Sequence, residues 1–233
     1  MNFTPYLLSL ALCCLACVSE SSMDGFVQSG SKANISFLSL GDSYTIGESV
    51  ADSARWSVQL AQMLRKEGYD VGVPDIIAKT GWTTAELADA ITASKNDKRY
   101  DLVSLLIGVN NQYRGQSVER FRTEFRDLLA TSVRYAGGRK DRVFVLSIPD
   151  WGVSPFGASR DRAQIAREID AFNAVAKEET QKAGVLYIDI TPISRNGLGQ
   201  PAMFAADGLH FSGEMYALWA KEALPAVKTL LSK

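Results

Sequence analysis

Two short stretches of this chain carry residue types and spacings suited to acyl chemistry. Ser43 stands in Leu40-Gly41-Asp42-Ser43-Tyr44-Thr45, directly after an apolar run. A tight turn there would hold its hydroxyl above a strand end, with its backbone N–H facing the same space. A serine hydroxyl is too weakly acidic to attack an ester unaided; it needs a base within hydrogen-bond reach and a third group to orient that base. The chain has a single histidine, His210, so the base has one candidate. It lies in Ala206-Asp207-Gly208-Leu209-His210-Phe211. The Asp-x-x-His spacing lets one turn deliver carboxylate and imidazole together, with Asp207 accepting from the N–H of one ring nitrogen and so leaving the other to accept from Ser43. Gly208 relieves the backbone between them. Taken singly, a Gly-Asp-Ser turn is commonly a helix cap, and a lone histidine is commonly a core or surface residue. Their joint occurrence is what points to a nucleophile and its base.

Acyl transfer also builds negative charge on the carbonyl oxygen, which fixed N–H donors must meet. Gly108-Val109-Asn110-Asn111 follows a second apolar run, and Lys79-Thr80-Gly81-Trp82-Thr83-Thr84 follows a third. The Ser43 N–H, the Gly81 N–H and the Asn110 amide are therefore candidate oxyanion donors, although Asn110 alone suits a turn and Gly81 alone suits a helix start. Tyr44, Ile46, Trp82, Tyr113 and Trp151 fall near predicted strand ends as candidate lining for substrate, with core packing or ordinary surface exposure the alternative for each. The stretch 148–157, rich in Pro, Gly and aromatic residues, suits a rigid rim loop, with an ordinary turn as the alternative.

Composition narrows the chemistry further. With 233 residues, 46% hydrophobic and 22% charged, one globular core is expected. The formal net charge is −1 and basic residues are scattered, which argues against nucleic acid or an acidic membrane face as a partner and for a small neutral or weakly charged substrate. All three cysteines, Cys13, Cys14 and Cys17, lie in the N-terminal segment, so the remaining chain offers no disulfide, zinc cluster or cysteine nucleophile. No metal and no cofactor is expected.

The elements that must position these residues are legible as alternating patterns. Apolar runs at 35–40, 71–77, 102–107, 143–148 and 185–190 are short and continuous, as in strands buried on both faces. Between them, Trp56, Leu60, Met63 and Leu64 share one helical face, as do Val118, Phe121, Phe125, Leu128 and Leu129, and then Ile165, Ile169, Phe172 and Ala176. A last helix from Gly213 meets Pro225, where a kink or break is expected. Such alternation indicates a doubly wound, parallel α/β sandwich whose ligand site lies past the carboxyl ends of its strands.

The blocks Gly41-Asp42-Ser43-Tyr44, Thr80-Gly81-Trp82, Gly108-Val109-Asn110-Asn111 and Asp207-Gly208-Leu209-His210, in this order, resemble those of the SGNH (GDSL-type) hydrolases. The resemblance runs from about Ile35 to the C-terminal helix. It implies a single-domain, three-layer α/β/α sandwich with a five-stranded, mainly parallel, flavodoxin-like sheet. It also implies a Ser43, Asp207 and His210 triad, oxyanion donors at Ser43, Gly81 and Asn110, and hydrolysis of a small-molecule, lipid or glycan carboxylic ester through an acyl-enzyme. Tyr44 stands where many members carry Leu, and Asn111 where Asp is usual. An acyltransferase using the same serine, or a non-catalytic glycan- or lipid-binding lipoprotein of the same fold, are the alternatives.

Residues 1–18 hold an apolar core of signal-peptide length, and Leu15-Ala16-Cys17 resembles a lipobox, although Cys14 replaces the usual Leu and no basic residue precedes the core. The expected organisation is a signal at 1–18 with Cys17 as lipid attachment site and membrane tether, a flexible linker at 19–34, and a catalytic domain at 35–233. That organisation implies export, as a cell-envelope lipoprotein or a periplasmic or secreted protein.

Overall fold

The computed structural model describes residues 35–232. The expected signal, Cys17 and the linker lie outside them. In chain order the elements are β1 (Phe37–Gly41), α1 (Ser43–Ile46), α2 (Trp56–Lys66), β2 (Asp75–Ala78), α3 (Thr84–Ser94), β3 (Leu102–Leu106), α4 (Val109–Tyr113), α5 (Val118–Tyr135), β4 (Val143–Leu146), α6 (Arg162–Ala183), β5 (Leu186–Ile188), α7 (Thr191–Arg195) and α8 (Gly213–Leu231). Short 3-10 turns join several of them.

The five strands form one sheet in the order β2-β1-β3-β4-β5, with every neighbouring pair parallel. Right-handed crossovers dictate which face each helix covers. The chain steps one way from β1 to β2 and the other way thereafter, so α2 lands on one face and α3, α5 and α6 on the other. Accordingly α2 packs on α8, while α5 packs on α3 and α6. The step changes direction between β1 and β3, and at such a switch point the loops leaving two adjacent strands diverge and open a crevice. Gly41 pairs with Leu106 across these strands, so the loops carrying Ser43 and Asn110 leave the sheet nearly level.

β1, β3 and β4 are buried along their whole length, as their continuous apolar runs predict. Their one polar pair is mutual, with the hydroxyls of Ser39 and Ser104 2.9 Å apart. The outer strands differ from expectation. β2 is shorter than the run 71–77 and only half-buried, because Pro74 has no N–H for a ladder and an edge strand has one neighbour. Val71 instead makes an isolated bridge to Ile35. β5, at the other edge, keeps only Leu186–Ile188 of the run 185–190 and is partly exposed.

The helix faces follow the sequence period: Phe121, Phe125, Leu128 and Leu129 of α5 and Ile165, Ile169, Phe172 and Ala176 of α6 are buried. At Pro225 the expected break does not occur, and α8 is continuous through it. The missing N–H removes one backbone bond, but Trp219, Ala220, Ala223, Val227 and Leu230 are buried on both sides of the proline and keep the helix seated.

Candidate active site

The turn that carries Ser43 begins with a close approach. A Cβ on Gly41 would strike the carbonyl oxygen of Leu106 and the hydroxyl of Thr45, so only glycine lets β1 run into α1 beside β3. Asp42 caps α1, accepting from the Tyr44 N–H at 3.1 Å. Its carboxyl is fully buried, and that burial pushes its pKa up to about 7, against opposing backbone hydrogen bonds from Tyr44, its own N–H and Gly108. Ser43 is the first residue of α1, where the backbone N–H has no intrahelical acceptor. Its side chain is nearly buried but borders a cavity of about 170 Å³.

The opposite wall comes from the loop before α8. Ala205 N–H donates to the His210 carbonyl at 2.8 Å, and Gly208, at φ 67, donates back to Ala205 at 3.0 Å, closing a tight loop. Within it, Asp207 Oδ1 accepts the N–H groups of Leu209 and His210, both at 2.9 Å. Asp207 Oδ2 lies 2.6 Å from His210 Nδ1 and also accepts the Ser49 hydroxyl at 2.7 Å. Burial pushes the Asp207 carboxyl up, but these hydrogen bonds, from His210 first, outweigh it and hold it well below the usual carboxylate range. An ionised Asp207 accepts a hydrogen bond from Nδ1–H, which leaves His210 Nε2 as the ring's acceptor. His210 borders the same cavity as Ser43. The ring of Tyr44 meets it edge-on, with centroids 5.9 Å apart.

Gly81 and Asn110 border that cavity too. Gly81 is not at the helix start: α3 begins three residues later, behind a capping box of Thr83 and Glu86. Gly81 instead occupies a turn at φ 87, which favours glycine, and its carbonyl accepts from the Arg114 guanidinium. Asn110 lies in the first turn of α4, and its amide Nδ2 donates to the Trp82 carbonyl at 3.0 Å.

Of the candidate substrate-lining residues, Tyr44, Tyr113 and Trp151 border the cavity and Trp82 and Ile46 do not. The Trp82 ring packs against the core, and what it brings to the site is its backbone carbonyl. Trp151 lies in a 3-10 turn within the expected rim segment, its indole N–H bonded to Gln112 Oε1 at 2.8 Å. The N–H of Phe156 donates to the Gly208 carbonyl at 2.9 Å, joining that segment to the loop of Asp207 and His210. Thr80, Val109 and Leu209 complete the lining. Each directly adjoins a residue of the quoted blocks or belongs to one, which is the signal that would have found them. Ser49 had no such signal. Among the described residues no group of three or more His, Cys, Asp or Glu side chains is placed to hold a metal ion, and no helix is long and apolar enough to cross a membrane.

A family model described as "GDSL-like Lipase/Acylhydrolase family" matches residues 39–218. A search of curated protein sequences returns no match. Among solved structures, TesA superposes with a TM-score of 0.65 at 21% identity, covering 84% of this chain and 99% of TesA. The psychrotrophic esterase EstA from Pseudoalteromonas sp., in a structure inhibited by monoethylphosphonate, gives 0.65 at 17% identity, covering 86% and 100%. The acetylxylan esterase Axe2 from Geobacillus stearothermophilus gives 0.65 at 16%, covering 84% and 94%. At these identities the likeness is one of fold.

Proposed function

Because this chain belongs to the GDSL-like lipase/acylhydrolase family, we propose that it hydrolyses carboxylic esters through a Ser43, His210 and Asp207 triad and an acyl-enzyme. The observation that carries the reading is that Ser43 and His210 border one cavity while Asp207 holds the far nitrogen of the imidazole at 2.6 Å. In the first step His210 Nε2 takes the Ser43 proton as Oγ bonds to the ester carbonyl carbon. The oxyanion is met by the N–H groups of Ser43 and Gly81 and the Asn110 amide. The intermediate collapses as His210 passes the proton to the leaving alcohol, and water then releases the acid by the same route.

The size of the cavity favours a short acyl group. At about 170 Å³ it is comparable to cavities of roughly 150 Å³ that hold a benzene-sized ligand, far short of a palmitoyl chain. A neighbouring groove of about 460 Å³ shares Tyr113 and Trp151 with it and adds Arg160, Asp161, Gln164 and Glu168. Donors and acceptors beside aromatic rings suit a hydroxyl-rich alcohol better than a lipid tail. The N-terminal segment supports export with a tether at Cys17, tested by palmitate incorporation that disappears in Cys17→Ala.

The test is p-nitrophenyl ester hydrolysis from acetate to palmitate, beside mass analysis after treatment with a reactive alkylphosphonate ester. The expected result is turnover highest on short chains, one phosphonyl group on Ser43, and loss of both in Ser43→Ala. A Ser43→Ala protein with near-normal turnover would overturn the reading.

A further inference from the structure

The turn that follows α1 does not line the cavity, yet it reaches two of its walls. Gly47 ends α1 in the left-handed region at φ 71, and two residues later Ser49 takes φ 63 while carrying a side chain. For a non-glycine L-residue that conformation is disfavoured and persists only where its surroundings impose it. Ser49 is otherwise an exposed loop serine, a position where substitution is ordinarily of little consequence. Its hydroxyl, however, donates at 2.7 Å to Asp207 Oδ2, a residue 158 positions away in the chain. That oxygen is the one facing His210 Nδ1. The preceding residue, Glu48, accepts the hydroxyl of Thr80, next to Gly81. One turn thus ties the nucleophile helix to the acid and base loop through Ser49 and to the glycine loop through Glu48.

We propose that Ser49 is a positioning residue for the triad, its hydroxyl fixing the rotation of the Asp207 carboxylate and through it the tilt of the His210 ring toward Ser43. The inference rests on the serine-hydrolase reading above. The physical need is specific. Backbone N–H groups hold Asp207 Oδ1, but the carboxylate can still turn about its Cβ–Cγ bond and offer Oδ2 off the imidazole plane. A second donor on Oδ2, coming from a different element, removes that freedom. Ser49 makes this bond from a left-handed backbone, at φ 63.

Ser49→Gly and Ser49→Ala separate the hydroxyl from the backbone, since glycine accepts φ 63 without strain and alanine does not. With p-nitrophenyl acetate and the full chain, both variants are expected to lose kcat about tenfold or more with KM nearly unchanged, and Ser49→Gly to keep its melting temperature. Because His210 is the only histidine, [15N]histidine labelling yields a single imidazole whose two nitrogen shifts report the tautomer, and both variants are expected to move them toward tautomer averaging. Wild-type kcat and shifts in Ser49→Gly, with or without a defect in Ser49→Ala, would overturn the proposal. Full activity in Ser43→Ala would instead remove the reading beneath it, so the two failures are distinguishable.

Discussion

The side-chain amide of Asn110 is held by the carbonyl oxygen of Trp82, with Nδ2 donating at 3.0 Å. One N–H of that amide is therefore committed to the backbone just beyond Gly81, which fixes the plane of the other. A donor oriented before the reaction need not reorganise as negative charge develops. Asn110→Ala is expected to lower kcat on p-nitrophenyl acetate by about 10²- to 10³-fold, with a much smaller change in KM. An equal rise in KM at constant kcat would mean that Asn110 binds substrate rather than the transition state.

Asp207→Asn is expected to keep the loop folded, because an amide oxygen can still accept the N–H groups of Leu209 and His210. It removes the ionised partner of His210 Nδ1, and with it the preference for the tautomer that leaves Nε2 free. The expected loss in kcat is on the order of 10⁴-fold. Nitrogen shifts of the labelled imidazole check the cause. If they are unchanged while activity falls, the carboxylate acts on the positive imidazole and not on its tautomer.

Asn111 explains its own departure from the more usual Asp. It is fully buried, and Nδ2 donates to Thr84 Oγ1 at 2.6 Å and to Gln116 Oε1 at 2.8 Å, while Oδ1 accepts the Thr84 N–H at 3.1 Å. A carboxylate has no proton for either acceptor, so the Thr84 hydroxyl would have to turn away from Glu124 and the Gln116 amide would have to flip before either could donate to it. Asn111→Asp is expected to destabilise the protein by about 3 kcal/mol, measured by urea unfolding near neutral pH. Gln116→Lys in the same background should restore part of the loss by supplying a positive donor.

Asp42 makes stability depend on pH in the opposite sense to Asp207. Its carboxyl titrates near 3.8 when unfolded and is raised by burial to about 7 when folded. Between these values the folded state binds the proton more tightly, so this contribution is fully present below the unfolded value and is lost as pH rises through about 7. Asp42→Asn keeps an acceptor for the Tyr44 N–H and does not titrate. The stability of wild type relative to Asp42→Asn should fall from about pH 5 to about pH 7 and level off above it, by at most about 3 kcal/mol over that range, in paired urea titrations. A difference that stays constant across that range would show that the folded carboxyl is not raised.

Much of the architecture followed from residue type and spacing alone. The buried faces of α5 and α6 repeat with the helical period, and the continuous apolar runs of β1, β3 and β4 have no polar side to show to water. The ordered blocks around Ser43, Gly81, Asn110 and His210 each follow or adjoin such an element, and a parallel sheet gathers loops at its strand ends wherever they fall in the chain. These are local signals, carried by neighbours in sequence. The tertiary structure decided what depends on distant partners. Edge position shortened β2 and β5, and packing on both sides of Pro225 kept α8 whole. The carbonyl of Trp82, not its ring, was turned toward the site, since its aromatic face found the core. Ser49 carries no pattern at all in the sequence. Its link to Asp207 exists because the fold brings together two loops 158 residues apart, and a hydrogen bond requires that proximity before residue type can matter.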